Sequence, residues 1–243
     1  MQENSTFSAQ FREIFSENGL EQFCADQTVQ AFEQFTNLLC RVNAHTNLTA
    51  IREIPDIIVK HYADCLLAEQ HFPKSASVLD VGCGGGFPSI PLAIARPDLQ
   101  ITAVDSTAKK IAFVQEVAST LPLPNLAPIC TRIEDRAFAS KKNSFDIGTS
   151  RAVARLSVLV ELILPYIRQG GTMVALKGAN GEEELSEAQH AIAALGGEVT
   201  RVDRFQLHQS TNAEQRTIIV IKKARPTPPQ YPRQYSAILK KPL

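Results

Sequence analysis

The sequence contains no Cys-X-X-Cys pair: its five cysteines, Cys24, Cys40, Cys65, Cys83 and Cys130, are scattered and odd in number. That pattern excludes a zinc site of the usual spacing and a disulfide framework, so reduced thiols and no metal are expected. Net charge is missing too, with 25 Lys and Arg against 25 Asp and Glu. The field of the whole molecule therefore gives no argument for a polyanionic or membrane partner, and only a local patch could supply one. No apolar run approaches the length of a bilayer span, and the start M-Q-E-N-S-T-F lacks the basic and apolar regions of a secretory signal. A cytoplasmic protein with no membrane partner is expected.

What is present is an ordinary globular composition, 44% hydrophobic and 21% charged over 243 residues, enough for one sizeable core with an appendage. In residues 1–72 the apolar positions recur at helical spacing: Phe7, Phe11, Ile14 and Phe15, then Phe32, Phe35, Leu38, Leu39 and Val42. A third helix is expected from Pro55, with Ile58, Tyr62, Cys65 and Leu66 on one side. From Ser77 to Lys223 short β-branched runs alternate with helical stretches near 88–95, 107–120, 153–167 and 181–195, the second of which Ser106 could cap. This alternation predicts an α/β fold with a parallel sheet covered on both faces. The last two strand candidates have only a short polar link, which predicts an antiparallel hairpin. Residues 224–243 carry the proline-rich P-T-P-P-Q-Y-P and read as an extended tail. From Lys222 onward the chain holds Lys222, Lys223, Arg225, Arg233, Lys240 and Lys241 and no acid, which makes the tail a candidate contact for a polyanion.

After the strand S-V-L-D-V the loop Gly82, Cys83, Gly84, Gly85, Gly86 lets the backbone turn sharply beside a ligand. A tight turn that binds nothing is the alternative. The dinucleotide fingerprint G-X-G-X-X-G fails because its third position is Phe87. Asp80, two residues before the first glycine, would repel a pyrophosphate but suits the ammonium of a methionine moiety, and S-adenosylmethionine (SAM) offers that cation with no phosphate. Asp105, ending the next strand, is placed to accept the hydroxyls of a ribose, or to act as a helix-start acid. Ile133 and Glu134 follow the third strand, where an adenine ring would lie; a solvated acidic turn is the alternative.

The segment Phe145 to Ala154 should show the reaction type, because SAM enzymes of this architecture handle the acceptor just after the fourth strand. It has neither an N-P-P-Y-type motif for an exocyclic amine nor a Pro-Cys for attack on a pyrimidine ring. A ring nitrogen with an exposed lone pair loses no proton on methylation, so positioning alone could drive its reaction, and Cys83 is not expected to be a nucleophile. Arg151 is the charged side chain of Thr149–Val153 and is placed to meet a phosphate, a carboxylate or a base edge, unless it is a surface arginine.

N-L-T-A-I-R (Asn47 to Arg52), H-Y-A-D-C-L (His61 to Leu66), D-V-G-C-G-G-G-F-P-S-I-P-L-A, V-D-S, K-K-I-A-F-V, S-R-A-V-A, A-L-K-G and P-T-P-P-Q-Y-P-R resemble, in order, the signatures of the ribosomal small-subunit methyltransferase G family, also called glucose-inhibited division protein B. The resemblance runs from Asn47 to Leu243. It implies a Rossmann-like class I SAM-dependent methyltransferase sheet of seven strands, the last antiparallel, with an N-terminal helical extension (1–72, 73–223 and 224–243). It also implies methylation of guanine N7 at position 527, in the standard numbering, of 16S rRNA, either naked or in a small-subunit particle, by a monomer. On the family's pattern the cofactor site falls on Gly82, Phe87, Ile133, Glu134 and Arg151, alongside Asp80, Gly84 and Asp105. His61 and Lys177 become candidate RNA or active-site contacts. Ser89 departs from the family's usual glycine after F-P, which puts the packing of the loop in question. N7 lies in the deep, narrow groove of A-form RNA, so the target must be unpaired or flipped out. A small-molecule SAM methyltransferase and a nucleotide-binding module without catalysis are the competing functions.

Overall fold

The computed structural model describes residues 2–209 and 212–243. Seven strands form one sheet: β1 (Ser77–Val81), β2 (Gln100–Asp105), β3 (Leu126–Cys130), β4 (Phe145–Arg151), β5 (Ile167–Lys177), β6 (Gly197–Gln209) and β7 (Asn212–Lys223). Their spatial order is β3-β2-β1-β4-β5-β7-β6. The first five are mutually parallel, and β7 runs antiparallel to both β5 and β6. The expected doubly wound sheet and its hairpin ending are thus present. Strand order reverses between β1 and β4, which opens a crevice at the carboxyl ends of these strands.

Alternation along the strands gives the sheet two apolar faces. Val78, Ile101, Ala103, Ile147, Val174, Ile218 and Val220 pack on one side with α1 (Gln2–Glu17), α2 (Asp26–Thr46), α5 (Ser89–Ala95) and α6 (Ala108–Thr120). Leu79, Val81, Val104, Met173, Ala175, Ile219 and Ile221 pack on the other with α7 (Leu156–Ile163), α8 (Gly181–Ala194) and α9 (Tyr235–Lys240). The N-terminal helices share their core with the sheet. A run of rings ties them to the crevice: Phe11 lies 5.1 Å from Phe32, Phe32 lies 4.9 Å from Tyr62, and Phe35 lies 5.8 Å from Phe87 of the glycine loop.

Between α2 and the sheet, α3 (Ile54–Ile57) and α4 (Asp64–Leu66) flank a π-helical stretch, Ile58–Ala63. Pro55 sits in the first turn, as its missing N–H permits. The sequence predicts one regular helix here; the wide turn within it is a finding of the structure.

Three further expectations are corrected. Ser106 does not cap α6; the Asp105 carboxylate accepts the Thr107 N–H at 2.8 Å instead. Helix α7 starts at Leu156 instead of 153, because Ala152 takes a left-handed φ of 57° and 152–155 form a strap across the crevice. Residues 224–243 are not a free tail. Lys142 donates to the Tyr231 carbonyl at 2.5 Å, and Ile238 of α9 is fully buried in the second core.

Candidate active site

The glycine loop leaves β1 by pairing with β2: the Gly82 and Cys83 N–H groups donate to the Val104 carbonyl at 2.7 and 3.1 Å. Gly84 then donates to Asp105 Oδ2 at 3.0 Å. Gly82 and Gly84 have φ of 75° and 57°, which side-chain-bearing residues rarely adopt. A Cβ on Gly82 would stand 2.6 Å from a Val153 methyl, whereas one on Gly84 would meet nothing nearer than a carbonyl oxygen at 4.0 Å. The first glycine is required by the strap above it, and the second leaves its space open to a ligand.

Two cavities flank this loop. One, of about 240 Å³, is lined by Gly82, Asp105, Lys110, Ile133, Glu134, Val153 and Tyr235, among others. The other, of about 320 Å³, includes Thr49, His61, Gly82 to Gly85, Phe87, Asp105 and Arg151 in its walls. Asp105 reaches both, with each oxygen already steered by one backbone N–H, so its remaining lone pairs point where hydroxyls of a ribose could be met. The structure therefore brings together Gly82, Gly84, Phe87, Asp105, Ile133, Glu134 and Arg151.

Asp80 is the exception. It is fully buried and lines neither cavity; its Oδ2 accepts the Ser89 hydroxyl and its Oδ1 has no partner. Burial pushes its pKa up to about 7, against the opposing pull of the Ser89 bonds. Its expected direct pairing with an ammonium is corrected to a place behind the loop, and Ser89 in the position of the usual glycine is its hydrogen-bond donor.

A third cavity of about 710 Å³ opens beside the second, between Lys60, His61, Asp64, Arg151, Val153, Lys177, Glu184 and Arg216. Its charged groups are mutually committed. Arg151 donates to Asp64 Oδ2 at 2.8 Å, to the Lys60 carbonyl at 2.8 Å and to His61 Nδ1 at 2.9 Å. Arg216 takes the other Asp64 oxygen at 2.7 Å. Because Nδ1 accepts, Nε2 of His61 carries the proton and donates to Thr49 Oγ1 at 2.8 Å. Burial, then the Arg151 charge, lower the His61 pKa to about 3, and its ring stacks on Phe87 at 4.2 Å. Lys177 donates to Glu184 at 2.6 Å and to the Ala154 carbonyl at 2.7 Å, while Glu184 also accepts the Leu156 N–H. Lys177 and His61 are thus built into the cavity wall. Burial also pushes the Cys83 thiol up, which leaves it unsuited to nucleophilic work.

The family model for rRNA small subunit methyltransferase G matches residues 28–216. A Geobacillus sp. (strain WCH70) protein named ribosomal RNA small subunit methyltransferase G is 42% identical over 241 residues, covering 97% of this chain and 99% of that protein. The chain belongs to this family. Solved structures agree on the fold: a 16S rRNA (adenine(1408)-N(1))-methyltransferase mutant from Catenulisporales acidiphilia aligns with TM-score 0.52 at 18% identity, covering 67% of this chain and 91% of that one. M. jannaschii TYW2 in complex with AdoMet aligns with TM-score 0.52 at 13% identity, covering 64% and 74%. By family the chain is a methyltransferase, and its fold is one on which M. jannaschii TYW2 holds AdoMet. The site fits S-adenosylmethionine: the glycine cradle is open above Gly84, and Asp105 and Glu134 line the nucleoside side.

Within the basic C-terminal segment the expectation of RNA contact divides. Lys223 is fully buried and donates to the Leu164 carbonyl at 2.5 Å and to Thr227, which takes it off the surface. Arg233 is bound to buried Glu161, and Arg225 donates to the Ala193 carbonyl at 2.9 Å. Lys222, Arg225 and Lys240 are exposed. The periodicity gave no sign of Val153, Tyr235 or Lys110 as cavity walls. Tyr235 arrives from α9 and its N–H donates to Glu134 at 3.4 Å; only a folded tail brings it there. Among the described residues no group of three or more His, Cys, Asp or Glu could hold a metal, and no helix is long and apolar enough to cross a membrane.

Proposed function

We propose that the protein transfers the methyl group of SAM to N7 of a guanine in 16S rRNA of the small ribosomal subunit, at position 527 in the standard numbering. The observation that carries this reading is the third cavity, where the described acids and the imidazole are each already engaged by a cation or an N–H donor. Asp64 is held by two arginines, Glu184 by Lys177 and the Leu156 N–H, and His61 is neutral with both ring nitrogens engaged. An acceptor that brings an exposed lone pair and loses no proton suits such a wall, and guanine N7 does both. The family name supports rRNA as the polymer.

SAM, when bound, supplies a methyl group on a positively charged sulfur. The chain's residues do the rest by holding and by excluding water. Asp105 and Glu134 would hold the nucleoside, and the backbone of Gly82 to Gly85 would border the methionine end. Arg151, fixed by Lys60, His61 and Asp64, stands between the second and third cavities and orients an acceptor base edge. Alignment of this kind can supply several orders of magnitude in rate. Nucleotide-resolution mapping of N7-methylguanine in 16S rRNA, from cells with and without this protein, tests the proposal. Loss of one N7 mark without the protein is expected, and an unchanged pattern would refute it.

A further inference from the structure

Val153 lines all three cavities. It is also one of the few large apolar side chains left exposed, at 37%. Its methyls pack directly above Gly82, the residue from which the glycine loop departs. Both ends of its strap are pinned: Arg151 on one side by Lys60, His61 and Asp64, and Ala154 on the other through its carbonyl to Lys177. Ala152 between them adopts a left-handed φ of 57°, a conformation costly for a residue with a Cβ and kept only where its surroundings impose it. The backbone is therefore fixed so that one apolar side chain stands at the meeting point of three spaces.

We infer that Val153 is a positioning residue for methyl transfer, touching the donor on one side and the acceptor base on the other. The inference rests on the SAM-dependent reading of the first two cavities and the base-binding reading of the third. The first two cavities meet at Gly82, Asp105, Lys110 and Val153, so a cofactor spanning both would cross this junction, and of these four residues Val153 is the one that also lines the third cavity. The third cavity begins at the same side chain. An apolar, branched group there excludes water from the transfer point and limits the sideways freedom of the acceptor ring, where misplacement by about 1 Å can cost about a hundredfold in rate. Nothing in its chemistry takes or gives a proton.

The test compares the full-length wild type, V153A and V153I in single-turnover methyl transfer from SAM to unmethylated 16S rRNA and to small subunits. SAM Kd is measured by calorimetry and Tm by calorimetric melting. V153A should lower the transfer rate roughly 10- to 100-fold with SAM Kd changed less than about fivefold and Tm unchanged, and V153I should recover to within about threefold of wild type. A wild-type rate in V153A overturns the inference, as does a slowed rate accompanied by a lowered Tm, or a V153I variant as slow as V153A. In a parallel measurement, the Val153 methyl signals of carbon-13-labelled protein, assigned by their loss in V153A, should shift on adding SAM. Unmoved signals also overturn it. Absence of RNA methylation by the wild type with shifted Val153 signals would instead sink the proposed substrate.

Discussion

Arg233 lies in a segment whose one-signed charge suggests RNA, yet it performs a folding task that can be measured. Glu161 on α7 is fully buried and accepts three hydrogen bonds from Arg233: from its backbone N–H at 3.0 Å and Nε at 2.7 Å on one oxygen, and from its terminal nitrogen at 2.6 Å on the other. R233A would leave the backbone bond and strip Oε2 of its partner, stranding a carboxylate in the core. Removing one partner of a buried ion pair costs about 3–5 kcal/mol. Arg233 is itself 28% exposed, which places the expected loss near the lower end, at about 3 kcal/mol. For a domain of this size that lowers Tm by roughly 6–12 °C. Urea denaturation gives the free energy directly, and E161L/R233L should regain much of it because no charge is left buried. A Tm within about 1 °C of wild type, together with weaker, less salt-dependent RNA binding, would refute this reasoning and return Arg233 to the RNA surface.

Other outcomes follow from the same structure. Asp80 has a folded pKa of about 7, above its unfolded value, so the native state binds the proton more tightly and stability falls as pH rises between the two values. D80N should therefore raise Tm more at pH 8 than at pH 5, as read by melting at both; an equal effect would contradict the buried placement. G84V should weaken SAM binding at least tenfold by calorimetry, since its side chain would enter the space now open above Gly84, while its left-handed φ costs folding only about 1–3 kcal/mol. K222A and K240A should reduce the salt dependence of RNA affinity, whereas K223M should leave it unchanged and lower Tm, because Lys223 is enclosed by Leu164 and Thr227. Equal salt slopes in all three would remove the exposed lysines from the interface.

Much of the sheet could be read in the sequence because β-branched runs such as S-V-L-D-V and R-T-I-I-V-I-K are local signals. So could the glycine loop and the acid ending β2. Where the reading failed, the deciding interaction came from a distant part of the chain. The charges of Lys223 and Arg233 look free until Leu164 and Glu161 are placed beside them. Asp80 looks like a ligand until Ser89, nine residues on, folds over it. Val153 reads as the start of an apolar helix, and the left-handed turn that aims it comes from anchors at Asp64 and Lys177, which no local pattern encodes.

The wide turn at Ile58–Ala63 amounts to one residue more than an α-helix of the same path would hold. Through it the Asp64 N–H reaches back to the Val59 carbonyl, and Lys60, His61 and Asp64 all come to face Arg151. Take that residue away and the helix can become regular along the same path, its flanks keeping their directions, but the bulge that carries Lys60, His61 and Asp64 toward Arg151 is lost. Loss of a single codon from this stretch would thus leave a well-formed helix that no longer presents the Lys60 carbonyl, His61 and Asp64 together to Arg151, so the length of this segment matters to the crevice even where the helix itself survives.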